Sequence, residues 1–239
     1  MKKAVLILVA IGVLVGSFAG GFFLGKDSSS APDSDNKVAA NGSPAENKGN
    51  ENVKTDAEEK TPINVFFSPH TGSDETGDGS QFNPFETLEK AKEYAKTITP
   101  GENEEIVFLE FLMSVDVRTQ SGVGVNSANG KGNINMIPFT GSSDGYYFKG
   151  EVVGLGCDTQ KWGVEGCPAF SARYLLKGTD YRGKACSIFI ENNGDALDKC
   201  TPTIITDSLG LSEWETAKLR TIVIPGGAGV TVYCYRICD

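Results

Sequence analysis

The sequence predicts an all-β fold: a single antiparallel up-and-down β-barrel of about eight strands. It is preceded by a short strand-turn-helix unit, a disordered stalk and an N-terminal membrane helix. Three observations carry this. From residue 105 onward apolar and polar residues alternate with a period of two. Gly-containing turn signals, among them Asn129-Gly130, Asp144-Gly145, Asn193-Gly194 and Pro225-Gly226-Gly227, recur between the alternating runs. Long helical crossovers are lacking, which favours neighbouring strands that run up and down, and closure into a barrel removes exposed edges.

The elements divide the chain into 1–25, 26–60, 61–104 and 105–239. After Met1-Lys2-Lys3, an uncharged run of 22 residues from Ala4 to Gly25 is long enough as a helix to cross about 30 Å of hydrocarbon. The Lys pair orients the remainder outward. A cleaved signal peptide is the alternative, with Ser17-Phe18-Ala19 placing small residues before Gly20. Both readings export the rest of the chain, so the expected location is membrane-anchored with an extracytoplasmic domain, or secreted. Residues 26–60 are Ser, Asn, Asp, Glu, Lys, Gly, Ala and Pro with few apolar side chains, too few to offset the entropy of ordering.

Residues 61–104 begin with the apolar strand Ile63-Asn64-Val65-Phe66-Phe67, pass through a turn-rich stretch, and enter a helix after Pro84-Phe85-Glu86-Thr87. Leu88, Ala91, Ala95 and Ile98 have helical spacing, and Thr99-Pro100-Gly101 stops the helix. The succession of Ser-Pro, Gly-Ser-Asp, Gly-Asp-Gly-Ser, Asn-Pro-Phe and Thr-Leu resembles the entry segment that caps right-handed parallel β-helix proteins. The stacked coils such a fold requires do not follow, so the resemblance implies a local fold and no polysaccharide-cleaving activity.

In the barrel region, Leu109, Phe111, Met113, Val115 and Val117 alternate with polar residues along the first strand. Further strands are expected at 133–139, 146–153, 169–177, 184–192, 202–207, 217–224 and 229–237, with a helical turn at 208–215. Pairing Tyr174 with Ile188 gathers Phe170, Ala172, Tyr174, Leu176, Cys186, Ile188 and Ile190 on one face. Arg173 and Glu191 then become diagonal neighbours on the other.

Several pieces of this region, in order, resemble domain of unknown function 3237. They are Ile137-Pro138-Phe139-Thr140-Gly141, Phe148-Lys149-Gly150, Cys157-Asp158-Thr159-Gln160, Ser171-Ala172-Arg173-Tyr174-Leu175-Leu176 with Gly178-Thr179-Asp180, Ile188 to Gly194, and Thr201 to Ser208. The resemblance implies a small lipocalin-like antiparallel barrel and names no activity.

The net charge of −9 and pI near 4.8 exclude the basic stripe that nucleic acid requires. Export would permit disulfides. The six cysteines admit fifteen pairings, and Cys157 with Cys167, flanking a Gly-containing loop, is the candidate bridge. Cys234 and Cys238 lie about 13 Å apart on one face of a strand, too far to join. The single histidine, His70, falls outside the barrel, so no Ser-His or Cys-His pair is available within it. The absence of Cys-x-x-Cys argues against zinc. Asp74 to Ser80 has the oxygen spacing of a calcium loop, but Phe85 stands where that loop needs its bidentate Glu, and ordinary turn chemistry accounts for it. No cofactor is expected.

Asp158, Gln160, Arg173, Tyr174, Glu191, Asn192, Thr203 and Asp207 are the candidate ligand-binding residues, polar groups and one aromatic wall at a barrel mouth. The competing reading makes Arg173 and Glu191 an external ion pair, Tyr174 core and Asp207 a cap. The expected function is non-catalytic binding of a small apolar or carbohydrate-like ligand, or of a cell-envelope component. Two alternatives stand beside it. One is a carboxylate-dependent enzyme acting on carbohydrate-like substrates through Glu191 with Asp158 or Asp207; the other is a filled barrel serving as a protein-interaction module.

Overall fold

A computed structural model describes residues 60–239, all within one compact unit. Its organising element is β2 (Glu104–Thr119), sixteen residues rich in the β-branched and aromatic side chains that favour extended backbone. One edge of β2 is taken by β11 (Gly229–Cys238), antiparallel along nearly its whole length. The other edge is shared. β1 (Thr61–Phe67) pairs in parallel with residues 104–110, and β4 (Asn133–Asp144) pairs antiparallel with residues 116–119. The parallel pair departs from the expected all-antiparallel scheme, and it needs a crossover, supplied by the helix α1 (Leu88–Ala95). Thr87 caps α1 by accepting the Lys90 amide at 3.1 Å, and Asp74 holds Thr87 through its amide and its hydroxyl.

The barrel runs β10 (Leu219–Gly226), β11, β2, β4, then β5 (Phe148–Val152) with β6 (Gly156–Trp162), then β7 (Phe170–Asp180), β8 (Ala185–Gly194) and β9 (Thr201–Thr206). β5 and β6 lie end to end between β4 and β7 and together fill one position. The short β3 (Val123–Asn126) pairs only with β4. Eleven strands are present, against the one expected before the barrel and about eight within it; the two not expected are β3 and β6. β9 and β10 meet only at the bridge between Cys200 and Thr221, where the Thr221 amide donates to the Cys200 carbonyl at 2.8 Å. The Val223 amide donates to the Leu197 carbonyl at 2.7 Å beside it.

The alternation along β2 does not stay on one face. Opposite β11 the register jumps from Met113 to Phe111, leaving Leu112 unopposed. This bulge turns the strand over: Met113, Val115 and Val117 enter the barrel interior, whereas Val107 and Leu109 pack with Phe66, Ile222 and Tyr235 in a second cluster. A third cluster joins Val65, Phe67 and Phe85 to Ala91 of α1. At the end of the barrel beyond Thr206, the 3-10 turn Ser212–Glu215 inserts Trp214, fully buried, next to Leu211.

The β7–β8 hairpin is registered two residues from expectation, Tyr174 opposite Ile190 and Leu176 opposite Ile188. A two-residue shift preserves the faces. The turn sets it: the Asp180 carboxylate accepts the Arg182 and Lys184 amides at 2.9 and 3.0 Å, and Gly183 takes φ +71°. Arg173 therefore lies directly across from Glu191, not diagonal to it.

Two further expectations are corrected. No helix among the described residues is long and apolar enough to cross a membrane; α1, at eight residues, spans only about 12 Å. The membrane segment at 1–25 and the stalk at 26–60 lie, Lys60 apart, outside the described residues. The membrane helix, and the membrane partner and location drawn from it, therefore have no element of the described fold behind them. All six cysteines are free thiols. Cys157 stands opposite Arg173 and Gln160 opposite Phe170, so Cys167 falls in the turn beyond Phe170. That places it more than about 10 Å along the sheet from Cys157, beyond disulfide reach.

Candidate functional site

The strand ends away from Trp214 surround a cavity of about 220 Å³. Its walls come from alternate residues of neighbouring strands: Val117 and Thr119 on β2, Ile137 and Phe139 on β4, Phe170, Ala172 and Tyr174 on β7, and Val230 and Val232 on β11. Leu197, Cys200, Val223 and Pro225 close the side where β9 meets β10. A Cβ at Gly156, directly opposite Phe139, would come within 2.3 Å of the Phe139 ring. Glycine there lets that ring lie flat against β6 as a wall of the chamber.

Four of the eight candidate residues line this cavity: Asp158, Gln160, Tyr174 and Asn192. Asp158 lies across from Ala172, and its Oδ2 accepts a hydrogen bond from Gln160 Nε2 at 3.0 Å. Burial raises the pKa of Asp158 against the weaker opposing pull of that bond. Asn192, 5% exposed, accepts the Thr221 hydroxyl at 2.7 Å through Oδ1. Its Nδ2 has no partner among the described residues. Tyr174, equally buried, packs edge-on against Phe139 with ring centroids 5.4 Å apart. Its hydroxyl forms no hydrogen bond among the described residues, and burial pushes its pKa up. The Cys200 thiol donates to the Ala196 carbonyl at 3.2 Å, and burial raises its pKa too.

The other four face elsewhere. Arg173 and Glu191 form an outward ion pair at 2.8 Å, which holds the Glu191 pKa below its ordinary value. Thr203 is exposed across from Glu191. Asp207 accepts the Ser187 amide at 2.6 Å and belongs to a shallow depression with Asp180, Arg182 and Ser208. Glu191 and Asp207 are thus turned away from Asp158, and the cavity lining carries one carboxylate. His70 also lies outside it, its ring stacked on Tyr146 at 3.4 Å. Asp74, expected in a turn, serves as the anchor of the α1 cap, and its bond from the Thr87 hydroxyl lowers its pKa.

Sequence reasoning missed Phe139, Phe170 and Cys200 as lining residues. The signal existed for two of them. Phe170 shares parity with Tyr174 on β7, and Ile137 and Phe139 share parity on β4, so a registered β4–β6–β7 sheet would have placed both phenylalanines inward with Asp158 and Gln160. Cys200 precedes β9 and is carried inward by the seam, which no local pattern announces.

No family model matches the chain, and no curated protein sequence matches it. Among solved structures the chain is similar to a protein of unknown function from Clostridium acetobutylicum, at 22% identity over 54% of this chain and 99% of that one, with a TM-score of 0.46. It is also similar to a β-barrel-like protein from Acinetobacter baumannii, at 19% identity over 58% and 100% of the two chains, with a TM-score of 0.46. An enzyme from Penicillium herquei is similar at 16% identity, over 58% and 100%, with a TM-score of 0.44.

Proposed function

We propose that the barrel is a binding module that takes a small, largely apolar ligand into the cavity and holds it by one polar end, without chemistry. The single observation behind this reading is the combination of an apolar chamber with converging polar groups that have hydrogen-bonding capacity to spare, the Tyr174 hydroxyl and Asn192 Nδ2 among them. That is the general make-up of small-molecule sites. Size bounds the ligand. A cavity of about 150 Å³ holds benzene, so 220 Å³ corresponds to about nine non-hydrogen atoms. A single ring or a short branched chain fits; a disaccharide or a long acyl chain would have to protrude.

The carboxylate-pair enzyme reading loses its geometric basis because Glu191 and Asp207 do not share the chamber with Asp158. The test is a screen of single-ring and branched compounds of about six to nine non-hydrogen atoms against the full chain by ligand-observed NMR, repeated on Ala172→Leu, which shrinks the chamber below the size that admits benzene. Binding to the wild type that disappears in the variant supports the proposal. Equal binding to both proteins, or binding to neither, overturns it.

A further inference from the structure

The charge balance of the lining narrows the ligand class. Asp158 is its one carboxylate, and no Lys, Arg or His side chain faces it across the cavity. Arg173, on β7, is on the opposite face of that strand and committed to Glu191. An anionic ligand would meet Asp158 uncompensated, and like charges in a low-dielectric chamber repel strongly. Three aromatic rings, Phe139, Phe170 and Tyr174, stand on the same walls. Phe139 and Tyr174 are nearly perpendicular, at 72°, and so offer a ring face and a ring edge at right angles to one another. Phe170 is held edge-on by Trp162 at 5.6 Å. Aromatic faces with one carboxylate and no basic group form an environment that stabilises alkylated ammonium ions, whose diffuse charge is attracted to ring faces and loses little hydration on entry.

Resting on the binding reading above, we infer that the ligand is a small organic cation, an alkyl- or quaternary ammonium compound of about choline size, with its charged head among Phe139, Phe170, Tyr174 and Asp158. Choline falls within the size bound. Its hydroxyl would find an unused donor in Asn192 Nδ2, and its methyl groups would fill the space that the rings enclose.

Calorimetric titration of the full chain with choline, with its neutral isostere 3,3-dimethyl-1-butanol and with the anion 3,3-dimethylbutanoate tests the inference. Choline should bind at least about tenfold more tightly than the alcohol, and the anion should not bind. Asp158→Asn should erase the preference for choline while leaving the alcohol's affinity within about threefold, a readout that a folding defect would not produce. If the alcohol binds as tightly as choline, or the preference survives in Asp158→Asn, the cation assignment fails while the binding function stands. If none of the three binds but single-ring neutral compounds do so in an Ala172-dependent manner, the assignment fails in the same way. If nothing binds in that manner, both readings fail.

Discussion

Ala172 offers a direct measure of whether the chamber is real space. It faces inward from β7 between Asp158 and Asn192, where it lines the cavity beside the interior cluster. Replacing it with Leu adds three carbon groups, which together occupy about 90 Å³ if each displaces the volume of one water, well inside 220 Å³. Burying them gains about 0.8 kcal/mol each, and about 0.5–1 kcal/mol of rotamer entropy opposes this, for a net stabilisation of about 1.5 kcal/mol. In a domain of this size that raises Tm by about 3–6 °C. Urea unfolding of the full chain, with the wild type in parallel, reads the same quantity as a higher midpoint at unchanged slope. The residual void, about 130 Å³, falls below the size that admits benzene, so stability should rise as ligand uptake disappears. Overpacking a filled core costs about 1–3 kcal/mol instead. A destabilised Ala172→Leu would therefore refute the reasoning, because the sign of the change depends on empty space at this position.

Two other outcomes follow from the buried carboxylates. Because the pKa of Asp158 is raised in the folded state, its contribution favours folding at pH values below the unfolded pKa and is lost as pH rises through the folded one. Asp158→Asn should therefore stabilise the ligand-free protein at pH 7 and lose that advantage at low pH, which melting curves across the acid range will show. Glu110 is a different case: it is nearly sealed, its Oε2 taking Arg236 Nε and Nη2 at 2.8 and 2.6 Å. Arg236→Ala should cost about 3–5 kcal/mol in chemical unfolding by stranding that carboxylate, whereas Arg173→Ala, at an exposed pair, should cost less than about 1 kcal/mol.

The period-two pattern was enough to find most strands, because each has one face in the barrel interior and the side-chain period reports that directly. It was also enough to sort Tyr174, Ala172 and Phe170 onto one face, since parity survives a shift of two residues. What it could not deliver was anything set by a single irregularity. The bulge at Leu112 redirects half of β2, and nothing in Leu109 to Val117 marks where the alternation turns over. The β7–β8 register depends on how the Asp180 carboxylate ties its turn, a contact with no counterpart in hydrophobic patterning. The same limits governed the site. Asp158, Gln160 and Asn192 could be nominated as polar residues in strands; parity along β8 separates Asn192 from Glu191, but only the pairing of β6 with β7 places Asp158 and Gln160 on the inward face with it. β1 was legible as a strand; its parallel partner was not, because that pairing is made across α1 and depends on the edge of β2 left open beyond β4.

The thin contact between β9 and β10 carries one more consequence. Leu197, Cys200 and Val223 line the chamber, and the same three residues supply backbone groups to the hydrogen bonds that hold this side shut. Everywhere else around the barrel, a strand is zipped to its neighbour by several consecutive pairings; here separation costs only a few bonds. The wall of the chamber that opens most readily is therefore also its latch. Local opening should therefore cost least on this side, and among the strand amides those of Thr221 and Val223 should exchange their hydrogens early.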